Sequence, residues 1–280
     1  MGIRRPIVSE IAYRTWCIDE FGMDAMFLLE GNDKALLIDT GTGLFNVPEL
    51  VRELTDKPLV VALTHGHVDH AGGMDQFDEV FLHPDDFGPA RGLTPERRAS
   101  YARRMLDISE GIYDISADDL VIPAGKAAMK PLKEGVCIRL GGRDVAVYET
   151  PGHTEGSLGF VDPAERILFS GDACNVNTLL TLPGQKHSEK TTVSSLLRTA
   201  QKLEGLHPYY DRNYNGHVGY ACFKSCLPMP DSINRDCIEL CTRLLDGSIQ
   251  GEKVEDALSG ESLAATYNTC RIVYAPDQVR

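Results

Sequence analysis

Leu59-Val60-Val61-Ala62-Leu63-Thr64-His65-Gly66-His67-Val68-Asp69-His70 is the stretch on which the reading of this chain turns. Leu59–Leu63 is a continuous apolar run, the pattern of a strand buried on both faces, and it stops at Thr64. The residues after Thr64 are therefore delivered at a strand's C-terminal end. They comprise three histidines and an aspartate within six positions, with Gly66, Gly72 and Gly73 freeing the backbone around them. Imidazole nitrogens and carboxylate oxygens are donors that zinc, iron and manganese accept. In an extended chain i and i+2 point the same way, so His65 and His67 can share one ion, while the turn after them swings Asp69 and His70 toward a second. A lone histidine is usually a satisfied core or surface residue; three of the chain's eight, packed beside an aspartate, read as a metal site.

On either side of this stretch strands alternate with helices. Met26–Glu30 and Lys34–Asp39 form a hairpin about Gly31-Asn32-Asp33. A helix is expected over Val47–Leu54, the start of another over Ala71–Phe77, a short strand at Val80–Leu82, and a charged helix over Thr94–Ile108 with Pro95 near its start. The second half repeats the pattern. Val136–Leu140 and Arg143–Tyr148 pair about Gly141-Gly142 and run into Thr150-Pro151-Gly152-His153; Leu158–Val161 and Arg166–Phe169 pair about Asp162-Pro163 and end at Ser170-Gly171-Asp172. A helix over Leu196–Leu203 precedes a short strand, Tyr209–Asn213, that reaches Asn215-Gly216-His217, and Ser232–Leu245 is a helix capped by Asp231. Each half offers a hairpin and a Thr-X-Gly-His segment, as a distant internal duplication would. No linker divides the chain, so one domain is expected over residues 1–280, with a helical insertion near 85–125.

In chain order, Leu37-Ile38-Asp39-Thr40-Gly41, the His65–His70 run, Thr150-Pro151-Gly152-His153-Thr154, Phe169-Ser170-Gly171-Asp172 and Asn215-Gly216-His217 resemble the signature of the metallo-β-lactamase-fold hydrolases over most of the chain. The resemblance implies an α/β fold, an αββα sandwich of two mixed β-sheets face to face with helices on the outer faces and metals at one sheet edge. It implies that His65, His67 and His153 bind one divalent ion and Asp69, His70 and His217 the other, with Asp172 bridging and Asp39 orienting the cluster without ligating. Two zinc ions are the expected cofactors, with iron or manganese as the other metals of such a set. Hydroxide formed between the ions would attack an ester, thioester, lactone or related bond of a small molecule, and Asp69 and Asp172 are the catalytic carboxylates that relay the proton. Glyoxalase II-like thioesterases and lactonases are closest in length and layout. The alternative is an oxidoreductase resembling the persulfide dioxygenases, which bind a single iron. Asn175 and Asn177 after Asp172, Tyr220 after His217, and His187 are expected substrate contacts; His83 and His207 read as surface or loop residues, and Cys174 as a small residue packed near the cluster.

Composition narrows the partners. With 280 residues, 42% of them hydrophobic and 25% charged, the chain is long enough to bury a core. A net charge of -13 disfavours a sequence-blind grip on a phosphate backbone, which needs a Lys/Arg surface to displace counterions, and argues against nucleic acid as substrate. No stretch reaches the roughly 18 apolar residues of a spanning helix. Met1–Glu10 carries Arg4 and Arg5 without the apolar run of an export signal, so the expectation is a cytoplasmic enzyme without a membrane partner, and a homodimer by default for its size. Eight cysteines fit that compartment as reduced thiols. Cys222/Cys226 and Cys237/Cys241 are spaced i, i+4 and read as core thiols, because paired metal thiolates usually have two intervening residues rather than three.

Overall fold

A computed structural model of the chain describes residues 2–108, 113–182, 185–217, 226–256 and 258–280. The first sheet follows chain order: β1 (Ile7–Ala12), β2 (Thr15–Glu20), β3 (Asp24–Glu30), β4 (Ala35–Ile38), β5 (Leu59–Ala62), β6 (Glu79–Leu82) and β7 (Ala128–Pro131). From β1 to β4 neighbours are antiparallel; from β4 to β7 they are parallel. Parallel β4 and β5 therefore end at one edge, where Asp39 and Thr64, just beyond them, meet. The second sheet takes β8 (Cys137–Arg139), β9 (Asp144–Glu149), β10 (Leu158–Asp162) and β11 (Ile167–Gly171) as an antiparallel run. After β12 (Asn177–Leu179), which lies elsewhere, β13 (Arg212–Asn215) joins β11 in parallel.

The period-2 alternation of strand side chains sorts the core into layers. Phe27, Leu29, Leu36 and Ile38 point inward from the first sheet and pack on Val145, Val147, Phe160 and Phe169 of the second. Their neighbours Met26, Leu28 and Leu37 point outward, onto helix α1 (Val47–Leu54). Asn46 caps that helix by accepting from the Glu49 N–H, and Val47, Leu50 and Val51 form its buried stripe. Three more helices lie in the first half: α2 (Val68–Ala71), α3 (Phe87–Arg91) and α4 (Pro95–Ile108). On the far side, Val161 and Leu168 pack against α5 (Val193–Gly205) and α6 (Ile233–Leu245). This is the αββα sandwich, with two mixed sheets face to face.

A third sheet adds to it. β12 pairs with β16 (Cys270–Tyr274), which pairs with β15 (Gly260–Tyr267) and then β14 (Glu252–Asp256). Neither this sheet nor β1, β2 and β7 is expected from the sequence pattern. Other departures are local. The expected strand at Tyr209–Asn213 begins instead at Arg212, because Tyr210 is buried in the preceding turn with its hydroxyl donating to Leu203 O. Ser232, not Asp231, stands at the start of α6. The helix read over Ala71–Phe77 is divided by Gly72 and Gly73 into α2 and a single turn, Met74–Gln76.

Among the described residues the stretch near 85–125 holds the end of the turn Pro84–Asp86, α3, α4 and the turn Ala117–Asp119. α4 is fixed by Arg98, whose buried guanidinium donates to Thr42 O at 2.9 Å, Gly43 O at 3.2 Å and Val121 O at 2.9 Å. The expectation of reduced thiols throughout fails at one place: Cys17 of β2 and Cys226 form a disulfide with Cα atoms 6.1 Å apart. Cys226 returns onto the inner face of the first sheet, where Cys17 lies, so its partner is set by tertiary packing; Cys222 lies outside the described residues. Cys174, Cys237, Cys241 and Cys270 are free and buried in the core beneath α5 and α6, as core thiols would be. No helix among the described residues is long and apolar enough to cross a membrane.

Candidate metal centre

Each donor stands where a strand stops. Beyond β5 the chain passes through Leu63 and Thr64 to His65; His67 precedes α2, which carries Asp69 and His70 in its single turn. The two histidines lie beyond the end of β5 and before α2, so they converge from the connecting loop rather than from a strand face. His153 lies beyond β9, Asp172 beyond β11, and His217 two residues beyond β13. Two glycines permit this convergence. Gly171 has φ +51°, and a Cβ there would lie 2.7 Å from Thr64 Cβ; a Cβ at Gly216 would lie 2.2 Å from His70 Cε1.

His65 Nε2 and His67 Nδ1 are 3.1 Å apart, and His67 Nδ1 is 2.8 Å from His153 Nε2. Asp69 Oδ2 lies 3.8 Å from both His70 Nε2 and His217 Nε2. Asp172 stands between the trios: Oδ2 is 2.9 Å from His217 Nε2 and 3.6 Å from His153 Nε2, and Oδ1 is 3.7 Å from His70 Nε2. The opposite ring nitrogens are engaged behind the cluster. His70 Nδ1 donates to Asp39 at 2.9 Å, His153 Nδ1 to Leu179 O of β12 at 2.6 Å, and His217 Nδ1 to Met23 O at 2.9 Å. Thr64 Oγ1 donates to Asp39 at 2.8 Å and faces His65 Nδ1 at 3.1 Å. In the neutral rings these partners fix the tautomers of His65, His70, His153 and His217, placing the lone pair on the inward nitrogen. His70 Nε2 and Asp172 Oδ1 are buried without any hydrogen-bond partner. A buried polar atom left unsatisfied costs free energy that a bound cation would recover, and nitrogen with carboxylate oxygen is a donor set for zinc, iron or manganese. The residues present fit one ion at His65, His67 and His153 and a second at Asp69, His70 and His217.

The electrostatics divide the same way. Burial, aided by the neighbouring imidazoles, drives His65 well below its ordinary value, and burial with His153 drives His67 to about 3. Both are neutral donors at pH 7. Burial opposes a charge on His70 and His217 too, but Asp69 and Asp39 outweigh it at His70, lifting it to about 9, and Asp172 outweighs it at His217, lifting it to about 10. Burial likewise works against ionised Asp172, yet His217 and His70 hold it well below the usual carboxylate range.

The cluster forms the floor of a cavity of about 340 Å³. Leu93 before α4 and Met105 on it, Leu179 and Leu182 after Asp172, and Leu258 supply apolar wall. Asn175 and Asn177 line it, but Asn175 Oδ1 accepts from Asn215 at 2.9 Å and Asn177 Oδ1 accepts from Arg271, which limits both as substrate contacts. His187 is not brought to the cavity: its nitrogens engage Thr181 and Asp277. Tyr220 lies outside the described residues. His83 is a buried strand-end residue held by Glu149, His207 stacks on Tyr210, and the Cys174 thiol faces Ile233 O away from the donors. Sequence reasoning missed Tyr101, whose hydroxyl donates to Asp69 Oδ2 at 2.8 Å from α4. Its signal was the spacing of Tyr101 and Met105, one helical turn apart in an otherwise charged helix.

A family model described as the Metallo-beta-lactamase superfamily matches residues 20–215. Among curated proteins, the human acyl-coenzyme A thioesterase MBLAC2 is 33% identical over 171 residues, which are 55% of this chain and 60% of that protein. The chain thus spans only about 60% of the length of that relative. A probable metallo-hydrolase of Streptococcus pyogenes is 26% identical over 73% of this chain and 82% of its own. Among solved structures, a metallo-beta-lactamase from Pontibacter korlensis superposes with a TM-score of 0.54 at 19% identity, over 85% of this chain and 99% of that one, which speaks for the fold alone.

Proposed function

The chain belongs to the metallo-β-lactamase superfamily, and from that premise we propose that it is a metal-dependent hydrolase of a small-molecule thioester, with zinc as the metal. In this reading His65, His67 and His153 would hold one ion and Asp69, His70 and His217 a second, with the Asp172 carboxylate placed between the two trios. The observation that carries it is the convergence of these seven side chains, two of their atoms buried without a partner, beneath a largely apolar cavity that His67, Asp69, His153, Asp172 and His217 line. The thioester is favoured by the relative named an acyl-coenzyme A thioesterase, and a cavity of about 340 Å³ with leucine and methionine walls suits an acyl chain.

Bound there, two divalent ions would bring the pKa of water toward neutrality and polarise the carbonyl oxygen. The chain's own groups do the rest. The apolar wall holds the acyl group and excludes bulk water, which strengthens every charge interaction at the floor. Tyr101 fixes the Asp69 carboxylate through its 2.8 Å hydrogen bond. Asp69 takes the proton of the attacking water; the water oxygen joins the carbonyl carbon, the carbon–sulfur bond breaks, and the leaving sulfur takes up that proton.

Metal analysis of the purified protein, with a panel of thioesters, esters, lactones and phosphodiesters, tests the proposal. Two zinc ions per chain and chelator-sensitive thioester turnover are expected. A single iron with oxygen uptake on persulfides would overturn it in favour of the oxidoreductase reading.

A further inference from the structure

α4 presents one face to the cavity. Arg97, Tyr101, Arg104 and Met105 all line it, at the i, i+4, i+7, i+8 spacing of a single helical stripe. Tyr101 is the point at which this stripe reaches the donor cluster, through Asp69. Arg97 and Arg104 lie one turn to either side of it, about 6 Å and about 4.5 Å along the axis at the helical rise per residue. Both are exposed. Arg97 donates one N–H to Gly92 O, and among the described residues neither guanidinium has an acidic partner.

The local charge balance is the reverse of the chain's. Overall there are 41 acidic and 28 basic residues, yet from Arg91 to Arg104 there are five arginines and one acid, Glu96. Arg98 is accounted for by its three carbonyl partners, and Arg91 lies over the Phe87 ring. Arg97 and Arg104 are the two that face the cavity without a counterion. A guanidinium is a planar fork of donors matched to phosphate and carboxylate, and its apolar stem packs along a cavity wall while its head stays at the mouth.

We propose that Arg97 and Arg104 are specificity-determining residues that bind an anionic group of the substrate, phosphate or carboxylate, on the part of the molecule away from the bond that is cleaved. The inference rests on the thioester reading for the identity of that bond. Acyl group and anion then lie along one wall: Leu93 and Met105 hold the chain, and the arginine pair holds the charge. Selection operates by recognition of the carrier thiol, since an uncharged carrier leaves the pair without a partner.

Three thioesters sharing one acyl group separate the possibilities with the zinc-loaded full chain: the coenzyme A thioester, which carries phosphates; the glutathione thioester, which carries carboxylates; and the N-acetylcysteamine thioester, which carries neither. In Arg97→Gln and Arg104→Gln the kcat/KM ratio of the preferred charged substrate to the neutral one falls by about five- to tenfold, the loss of one charged hydrogen-bonded contact at an exposed site. Loss on the coenzyme A ester identifies phosphate; loss on the glutathione ester identifies carboxylate. A ratio unchanged in both variants overturns the inference. Were the wild-type protein to cleave no thioester, the reading of the bond would fail by itself, and the arginine pair would still be decided by calorimetric titration with adenosine 3′,5′-bisphosphate and with succinate. Weaker binding of either in the double variant R97Q/R104Q supports the pair; equal binding, or none by the wild type, overturns it.

Discussion

Asp39→Asn isolates the support behind the second trio of donors. Asp39 has φ +65°, a left-handed conformation in which Asn is as much at home as Asp, so the exchange leaves the backbone unstrained. The carboxylate accepts three hydrogen bonds: Thr64 N at 2.6 Å, Thr64 Oγ1 at 2.8 Å and His70 Nδ1 at 2.9 Å. An Asn oxygen can serve the first, but its NH2 then faces Thr64 Oγ1 and His70 Nδ1. The hydroxyl can rotate and accept. The imidazole cannot: its Nδ1–H meets a donor, and the escape is the other tautomer, which puts the proton on Nε2 where the ion would bind. Such losses typically weaken metal affinity by about 10- to 100-fold, about 1.4 to 2.8 kcal/mol. Titration against a chromophoric zinc chelator should resolve one ion weakened by this factor, while the ion at His65, His67 and His153 changes less. Two ions held with wild-type affinity would refute the reasoning.

Gly216→Ala should lose the second ion, since its Cβ would fall 2.2 Å from His70 Cε1, a ring buried and pinned by Asp39; overpacking of this kind costs about 1–3 kcal/mol, and metal content with the thermal midpoint reads both effects, wild-type occupancy counting against the packing argument. The ion-free protein should lose stability as pH rises. His70 and His217 are lifted from 6.5 to about 9 and about 10, so their contribution is whole below 6.5 and is lost as pH passes 9 and then 10. Denaturant midpoints of chelator-treated protein check this, with His217→Asn removing the upper part of the fall; a midpoint flat from pH 7 to about 10 would contradict it.

What the sequence displayed was whatever short-range pattern determines. The apolar run into His65 gave β5, the Gly141-Gly142 hairpin gave the turn before β9, and donors at strand ends could be read because strands are short and end abruptly. What stayed hidden depends on partners far along the chain. The Cys17–Cys226 bond joins residues 209 positions apart, and no spacing rule finds it. β14 reads Glu-Lys-Val-Glu-Asp, too polar to announce a strand, and is one because β15 lies beside it. Arg98 and Tyr101 stand in what reads as a charged helix, and the groups they hold come into reach through the approach of α4 to the loop after β4 and to Asp69. His187, expected near the cavity, is drawn away by Asp277 near the end of the described chain.

The three carbonyls that receive the Arg98 guanidinium have a consequence for how such a protein can change over generations. The donors hang from the ends of both sheets, and altering the strands that carry them disturbs the core. α4, by contrast, is fastened to the loop after β4 by the buried Arg98 and by Ala102 and Met105 packed with Leu44, while Arg97 and Arg104, exposed at the cavity, take no part in that fastening. Positions 97 and 104 are therefore open to substitution at little cost in folding, so that substrate preference can drift while the machinery that breaks the bond is inherited intact.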